Sequence, residues 1–126
     1  MASYRMIVLS NPVAGKDAEF NEWYDHQHIP DLLNIPGFAA AQRFKLAETQ
    51  LRDGAKPYRY LAVWEIETDD LAGVFHELSA RRGTPEVVAS DAIDSANVQS
   101  YVFMPVTPRV TAPEVARPRK AGRGKN

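Results

Sequence analysis

Apolar and polar positions alternate with period two in several short stretches of the chain and recur with a period near 3.6 in two others. The clearest alternation is YRYLAVWEIE, where Tyr58, Tyr60, Ala62, Trp64 and Ile66 interleave with Arg59, Leu61, Val63, Glu65 and Glu67. YRMIVL, residues 4–9, is rich in β-formers and stops at SNP, which reads as a strand and its turn. FAAAQRFKL, residues 38–46, follows the Pro36–Gly37 turn as a second strand, and NVQSYVFMPV supplies the last one over residues 97–104. A polar stretch from Glu48 to Pro57 makes the middle two strands a long hairpin. Between the strands lie the helical periods. Asp17 stands as N-cap for a helix with Phe20, Trp23, Tyr24 and then Gln27 or His28 on one face. Thr68 is placed to cap a second, with Asp69 and Asp70 in its first turn, Leu71, Val74, Phe75 and Leu78 on one face, Arg81 and Arg82 in its last turn and Gly83 at its stop.

The resulting order, β-α-β-β-α-β, is that of the ferredoxin-like split unit: an α+β fold with an antiparallel sheet and both helices on one face. A sheet whose other face met water would alternate more cleanly. Here Ile7 and Leu9 lie opposite in phase to Met6 and Val8, Tyr101 and Phe103 to Val102 and Met104, and Leu61 and Val63 to Ala62 and Trp64. The expectation is a homodimer, sheet against sheet.

The first helical period carries an anomaly, YDHQHIPDLL at residues 24–33, with titratable groups gathered beside a proline. Pro30 cannot donate to the carbonyl of His26 and disfavours a helical Ile29, so the helix is expected to end near Gln27 or His28, with Pro30 opening a short second turn through Leu33. Counted from Phe20, Tyr24 falls about 40°, His28 about 80° and His26 about 240° round the helix. His28 therefore edges the apolar face and His26 points to solvent. An imidazole titrates near neutral pH, which makes His28 the candidate acid or base; the competing reading is a histidine that caps the broken helix.

Charge and composition narrow the chemistry. At 126 residues the chain fits one domain, taken as residues 1–106 with a tail at 107–126. Residues 1–106 carry 9 Lys and Arg against 15 Asp and Glu, a net of −6, and the tail carries 6 against 1, a net of +5. An acidic body argues against a nucleic-acid-binding domain, and the aperiodic, Pro- and Gly-containing tail reads as a flexible arm. With no cysteine, thiolate metal sites, disulfides and cysteine nucleophiles are excluded. No metal-ligand spacing stands out and no cofactor is expected. The opening MASYRMIVLSNP is too short in apolar residues for a secretory signal or a membrane span, so a cytoplasmic protein is expected. GxGxxG, P-loop, HExxH and GxSxG motifs are missing.

The run EFNEWYDHQHIPDLLNIPGFAAAQRF, residues 19–44, together with the element order, resembles the dimeric α/β-barrel superfamily and most closely its EthD-like and uncharacterised bacterial branches, which carry a WYD…H-I/L-P-D…PGF…RF segment. The resemblance implies a homodimer whose sheets close into a barrel, with a pocket between each sheet and its helices. It places the motif histidine on His28, the aspartates on Asp25 and Asp31, and the arginine on Arg43. Relatives of that kind include cofactor-independent cyclases, muconolactone-type isomerases, quinol monooxygenases and haem-binding branches.

The site expected on this basis has His28 as acid or base with Tyr24 or Asp25 orienting it, and Trp23, Tyr60 and Trp64 shaping an apolar pocket. Asn11, at the end of the first strand, would orient a carbonyl, Arg43 would meet an anionic group, and His76 would complete the lining. Each has a plainer reading: a turn for Asn11, a helix-end role for Asp25, an ion pair for Arg43, core packing for the aromatics and surface for His76. The favoured function is a cofactor-independent isomerase, cyclase or lyase acting on a small aromatic, polyketide or lactone-like molecule. The alternatives are a quinol-type monooxygenase or haem-associated protein of the same fold, and a non-catalytic dimeric binding protein.

Overall fold

The computed structural model describes residues 1–114, so the expectation of a basic arm falls mostly outside the described residues. Four antiparallel strands, β1 (Ala2–Ser10), β2 (Phe38–Lys45), β3 (Tyr60–Thr68) and β4 (Gln99–Phe103), form one sheet in the order β2-β3-β1-β4. Between β1 and β2 runs a helical layer made of α1 (Asp17–Trp23), a π-type turn (Tyr24–His28) and α2 (Ile29–Leu33); between β3 and β4 lies α3 (Leu71–Arg81). This is the expected order and topology. The last strand is shorter than expected, because Ser95–Asn97 form a 3₁₀ turn before it.

Strand alternation decides which face the helices cover. Met6 and Ser10 of β1 and Ala62, Trp64 and Ile66 of β3 are buried, and they pack with Phe20, Tyr24 and Leu32 from the first helical layer and Val74 and Leu78 from α3. Opposed residues in an antiparallel pair share a face. The register pairs Ile7 with Val63 and Tyr101, Leu9 with Leu61, and Leu61 with Phe44, so these six share the helix-free face. Arg5 and Glu65, paired at 3.7 Å, and Phe103 border them. Tyr101 and Phe103 are about half exposed, at 49% and 55%.

Both helix starts differ from the expected caps. Lys16, not Asp17, occupies the N-cap of α1; the Asp17 carboxylate accepts a hydrogen bond from Arg59 at 2.9 Å, which holds its pKa below the ordinary value. The α3 cap is Asp70, whose carboxylate accepts from the Gly73 N–H at 2.9 Å, while Thr68 receives the Asp70 N–H at 3.0 Å. Asp70 rather than Thr68 is thus the cap, and Thr68 supports the turn leading into the helix.

The turn into β2 depends on Gly37. Its φ of +104° favours glycine, and an added Cβ would lie 2.6 Å from Val74 Cγ2 in α3. A Gly37→Ala variant is therefore expected to lose about 2 kcal/mol of stability, from backbone strain and overpacking together, measured by urea unfolding.

Candidate functional site

The helix does not break at the proline. Ile29 is helical, with φ −61° and ψ −52°, and its N–H bonds to the carbonyl of Tyr24, five residues back. The expected stop near Gln27 or His28 is thus replaced by one wide turn. A proline ring collides with the carbonyl four residues before it, here His26, and an α-helix would have to kink. The wider i→i+5 turn relieves that collision and lets the helix continue to Leu33.

The wide turn delivers His28 into the layer between helix and sheet. Its ring stacks on Trp23 with centroids 4.5 Å apart, and meets the rings of Tyr24 at 5.0 Å and Trp64 at 5.7 Å edge-on. His28 Nδ1 is buried with no hydrogen-bond partner among the described residues. Burial pushes the His28 pKa down to about 4; Asp31 opposes this and Arg82 adds to it. The ring is therefore a neutral imidazole at pH 7, able to accept a proton and unable to supply one as imidazolium. His26 faces solvent, its side chain 71% exposed and 3.9 Å from Glu22.

The other candidates divide between this layer and elsewhere. Trp64 is completely buried. Tyr24 is buried beside it, and burial pushes the phenol up to about 12, against the opposing influence of Arg43 and a hydrogen bond with Trp64. Tyr24 is thus a neutral phenol. Asp25 has a different partner from the one expected: it accepts from Arg43 at 2.7 Å. Arg43 also donates to Asn21 Oδ1 at 2.8 Å, and its guanidinium lies 4.4 Å from the Tyr24 ring centroid and 5.3 Å from those of Phe20 and Tyr60. With its side chain 13% exposed, Arg43 is a clamp between β2 and the helix. Tyr60 accepts from Asn21 at 3.3 Å and lines that clamp. Asn11 has both ends of its amide engaged, donating to the Pro57 carbonyl and accepting from the Arg59 N–H, each at 2.8 Å. It ties the hairpin loop to the end of β1. His76 is exposed on α3.

Sequence reasoning missed the far wall. Trp23 Nε1 donates to the Val88 carbonyl at 3.0 Å, and the Val88 N–H donates to Asp31 Oδ2 at 2.9 Å. Gln27 donates to both Asp31 oxygens, at 2.9 and 2.8 Å. The Gln27–Asp31 spacing of four was a readable helical signal. Val88, 57 residues from Asp31 and in an irregular segment, left none.

No family model matches the chain, and no curated protein matches it. Solved structures do. SnoaB, a cofactor-independent oxygenase from Streptomyces nogalater, superposes with a TM-score of 0.56 at 22% identity, covering 90% of this chain and 100% of that one. The haem-degrading MhuD of Mycobacterium tuberculosis, with two haems in its active site, gives a TM-score of 0.57 at 18% identity over 85% and 99% of the two chains. The chain shares the ferredoxin-like fold of these proteins. Such identities establish the fold alone. The two proteins are described as a cofactor-independent oxygenase and a haem degrader.

Within this ferredoxin-like fold, His28 is the one histidine set among the core aromatics, so it is the residue to test against haem. A porphyrin needs a flat slot beside its ligating imidazole. Here Trp23 stacks on one face of His28 and the rings of Tyr24 and Trp64 lie nearly perpendicular to it at 5.0 and 5.7 Å, so a porphyrin beside this ring would require those contacts to part, and the residues as arranged do not fit a haem. Among the described residues, no group of three or more His, Cys, Asp or Glu could hold a metal ion.

The neutral His28 has a thermodynamic signature. Its folded pKa lies below the ordinary 6.5, so the unfolded chain binds the proton first as pH falls. Stability is full above about pH 6.5 and declines toward pH 4, by roughly 3 kcal/mol for a displacement of this size. Urea unfolding at pH 7 and pH 4.5 is expected to show this loss in the parent protein and a clearly smaller one in His28→Leu.

Proposed function

We propose that the protein is a cofactor-independent oxygenase acting on a small, flat, electron-rich aromatic compound with an acidic O–H or C–H, such as a quinol or an enol, with His28 as the base. The observation that carries this reading is a half-buried, neutral imidazole whose Nδ1 is buried and unpartnered, walled by Trp23, Tyr24 and Trp64. The oxygenase described for a protein of the same fold supports it.

The low basicity of the free ring is consistent with the role. A lone imidazolium in this layer would be poorly hydrated, and Asp31 offsets only part of that cost, which is why proton uptake is disfavoured there. A substrate that gives its proton to His28 becomes an anion beside it, and the two charges form together as a pair. Proton transfer is then coupled to substrate binding. The resulting phenolate or enolate is a far better electron donor to O2 than its conjugate acid. In the monooxygenation of a methylene group to a carbonyl, the carbon loses two hydrogens and gains one oxygen atom, the other oxygen leaving as water, so the substrate supplies all four electrons. Tyr24, a neutral phenol, and Trp64 exclude water from the developing ion pair. Asp25 and Arg43 keep the helix bearing His28 against β2; Asn11 and His76 stand outside the chemistry in this reading.

A second reading is a binding protein without chemistry of its own. The close ring packing around His28 favours it. Oxygen uptake with a small quinol or an anthrone-like aromatic separates the readings. The oxygenase predicts consumption of one O2 per product, falling by about 10²-fold or more in His28→Gln, the range of general acid–base contributions. Product without oxygen uptake would return the isomerase, cyclase or lyase chemistry; tight binding with no product would favour the binding protein.

The working unit we propose is a homodimer closed through the helix-free sheet face. Ile7, Leu9, Leu61, Val63 and Phe44 form a continuous apolar surface there, with Tyr101 beside Ile7. Sedimentation of the parent chain is expected to give twice the chain mass, and Ile7→Lys, which places a charge at the centre of this surface, is expected to give monomer.

A further inference from the structure

Two charged side chains from different elements act on the half-buried His28 ring, Asp31 from α2 and Arg82 from the end of α3. Burial is the main influence holding the His28 pKa down; Asp31 opposes it and Arg82 adds to it. The two differ in how they are engaged. Asp31 accepts from Gln27 at 2.9 and 2.8 Å and from the Val88 N–H at 2.9 Å. Arg82 is exposed, and among the described residues no hydrogen bond or ion pair engages its guanidinium. Its neighbour Arg81 takes the nearby carboxylates, Glu77 at 2.6 Å and Glu86 at 3.8 Å.

The Arg82 backbone, by contrast, is fixed. Its N–H bonds to the Leu78 carbonyl at 3.0 Å, it forms an isolated parallel bridge with Val87, and the N–H of Gly83 bonds to the Val87 carbonyl at 2.9 Å. Val88, the next residue, accepts from the Trp23 indole and donates to Asp31. This chain of bonds sets Arg82 at the rim of the group that surrounds His28. A plainer role for the arginine is to offset the dipole at the C-terminus of α3, but Arg81 already supplies a cation in the last turn. The body of the chain, at a net of −6 over residues 1–106, repels anions in general, so a free guanidinium beside the inward histidine is a local exception.

We propose that Arg82 is a specificity-determining residue of the His28 site and pairs with a carboxylate carried by a flat aromatic substrate, away from the atom that reacts. The proposal deepens the oxygenase reading and rests on His28 marking the binding site. No hydrogen bond or ring contact joins Arg82 to His28, so a group held by Arg82 is distinct from one that gives its proton to the imidazole. The substrate class this selects is a hydroxylated aromatic acid with its acidic O–H at one end and its carboxylate at the other. Pairing Arg82 with that carboxylate also cancels the positive charge that disfavours the imidazolium, leaving Asp31 as the charge acting on the ring. The ligand that is held is thus the one that makes His28 a better base.

The test compares two probes that share one ring system, 6-hydroxy-2-naphthoate and 2-naphthol, titrated calorimetrically into the full chain at pH 7 without oxygen. The parent is expected to bind the naphthoate about five-fold more tightly, the upper range for an exposed ion pair. Arg82→Gln is expected to make the two affinities equal by weakening the naphthoate alone, and Arg82→Lys, which keeps the charge and loses the planar fork, to retain part of the preference. Salt at roughly 0.5 M is expected to narrow the gap in the parent. Equal affinities in the parent, binding of neither probe, or a preference that survives Arg82→Gln would overturn the proposal. So would an equal loss for both probes in Arg82→Gln, which marks an arginine that only supports the fold. Oxygen uptake that survives His28→Gln would overturn the assigned base and leave the carboxylate preference standing.

Discussion

A neutral imidazole with a free nitrogen is expensive to bury, and the helical layer of this protein is arranged around that cost. His28 loses water on entering the aromatic layer and gains no hydrogen bond at Nδ1 in return. What it gains is ring contact: a stacked face from Trp23 and edges from Tyr24 and Trp64. Those contacts exist only because the helix widens over Tyr24–His28 and carries on past Pro30 to Leu33. The proline and the histidine are thus parts of one device. The ring that would break an α-helix forces a wide turn, and the wide turn presents the histidine inward.

Two sets of bonds hold that turn from opposite sides, and they differ in strength. On the sheet side, Arg43 reaches from β2 to Asp25 and Asn21 with charge-assisted hydrogen bonds and lies against three aromatic rings. On the other side, Val88 is held by a neutral bond from Trp23 and a charge-assisted one to Asp31 at the rim. The first set is partly buried and multiply braced, whereas the second joins the helix to an irregular segment with an exposed backbone.

The fold was legible because its signals are local and periodic. Alternation in YRYLAVWEIE survives as the buried Ala62, Trp64 and Ile66, and the apolar stripe of α3 as the buried Val74 and Leu78. The candidate site was legible only in part. Helical phase put His28 inward and His26 outward, and both lie so. The phase argument carried no information about how the chain would pass Pro30, because a wide turn and a break answer the same steric clash and only tertiary packing chooses between them. Arg43 and Asp25 were named as separate candidates; eighteen residues apart, they meet only when β2 docks on the helix. Asn11 was read as a carbonyl orienter from its place at a strand end, yet its amide is spent on a loop 46 residues away. The missed residues share this cause: Val88 contributes backbone atoms alone, and a sequence does not mark a peptide group as functional.

The same reasoning bears on what kind of catalyst this layer can be. A general acid needs an imidazolium proton at rest, and a histidine held near a pKa of 4 carries none at neutral pH. A haem ligand needs room for a porphyrin beside the ring, and the rings of Trp23, Tyr24 and Trp64 take that room. A base needs only a free lone pair and an environment in which the protonated form becomes acceptable once a negative partner arrives. His28 meets the base's requirement and fails the other two. Chemistry built on such a residue begins with the ligand's own acidity: compounds that cannot become anions beside His28 leave it neutral, and those that can are selected by the step that activates them.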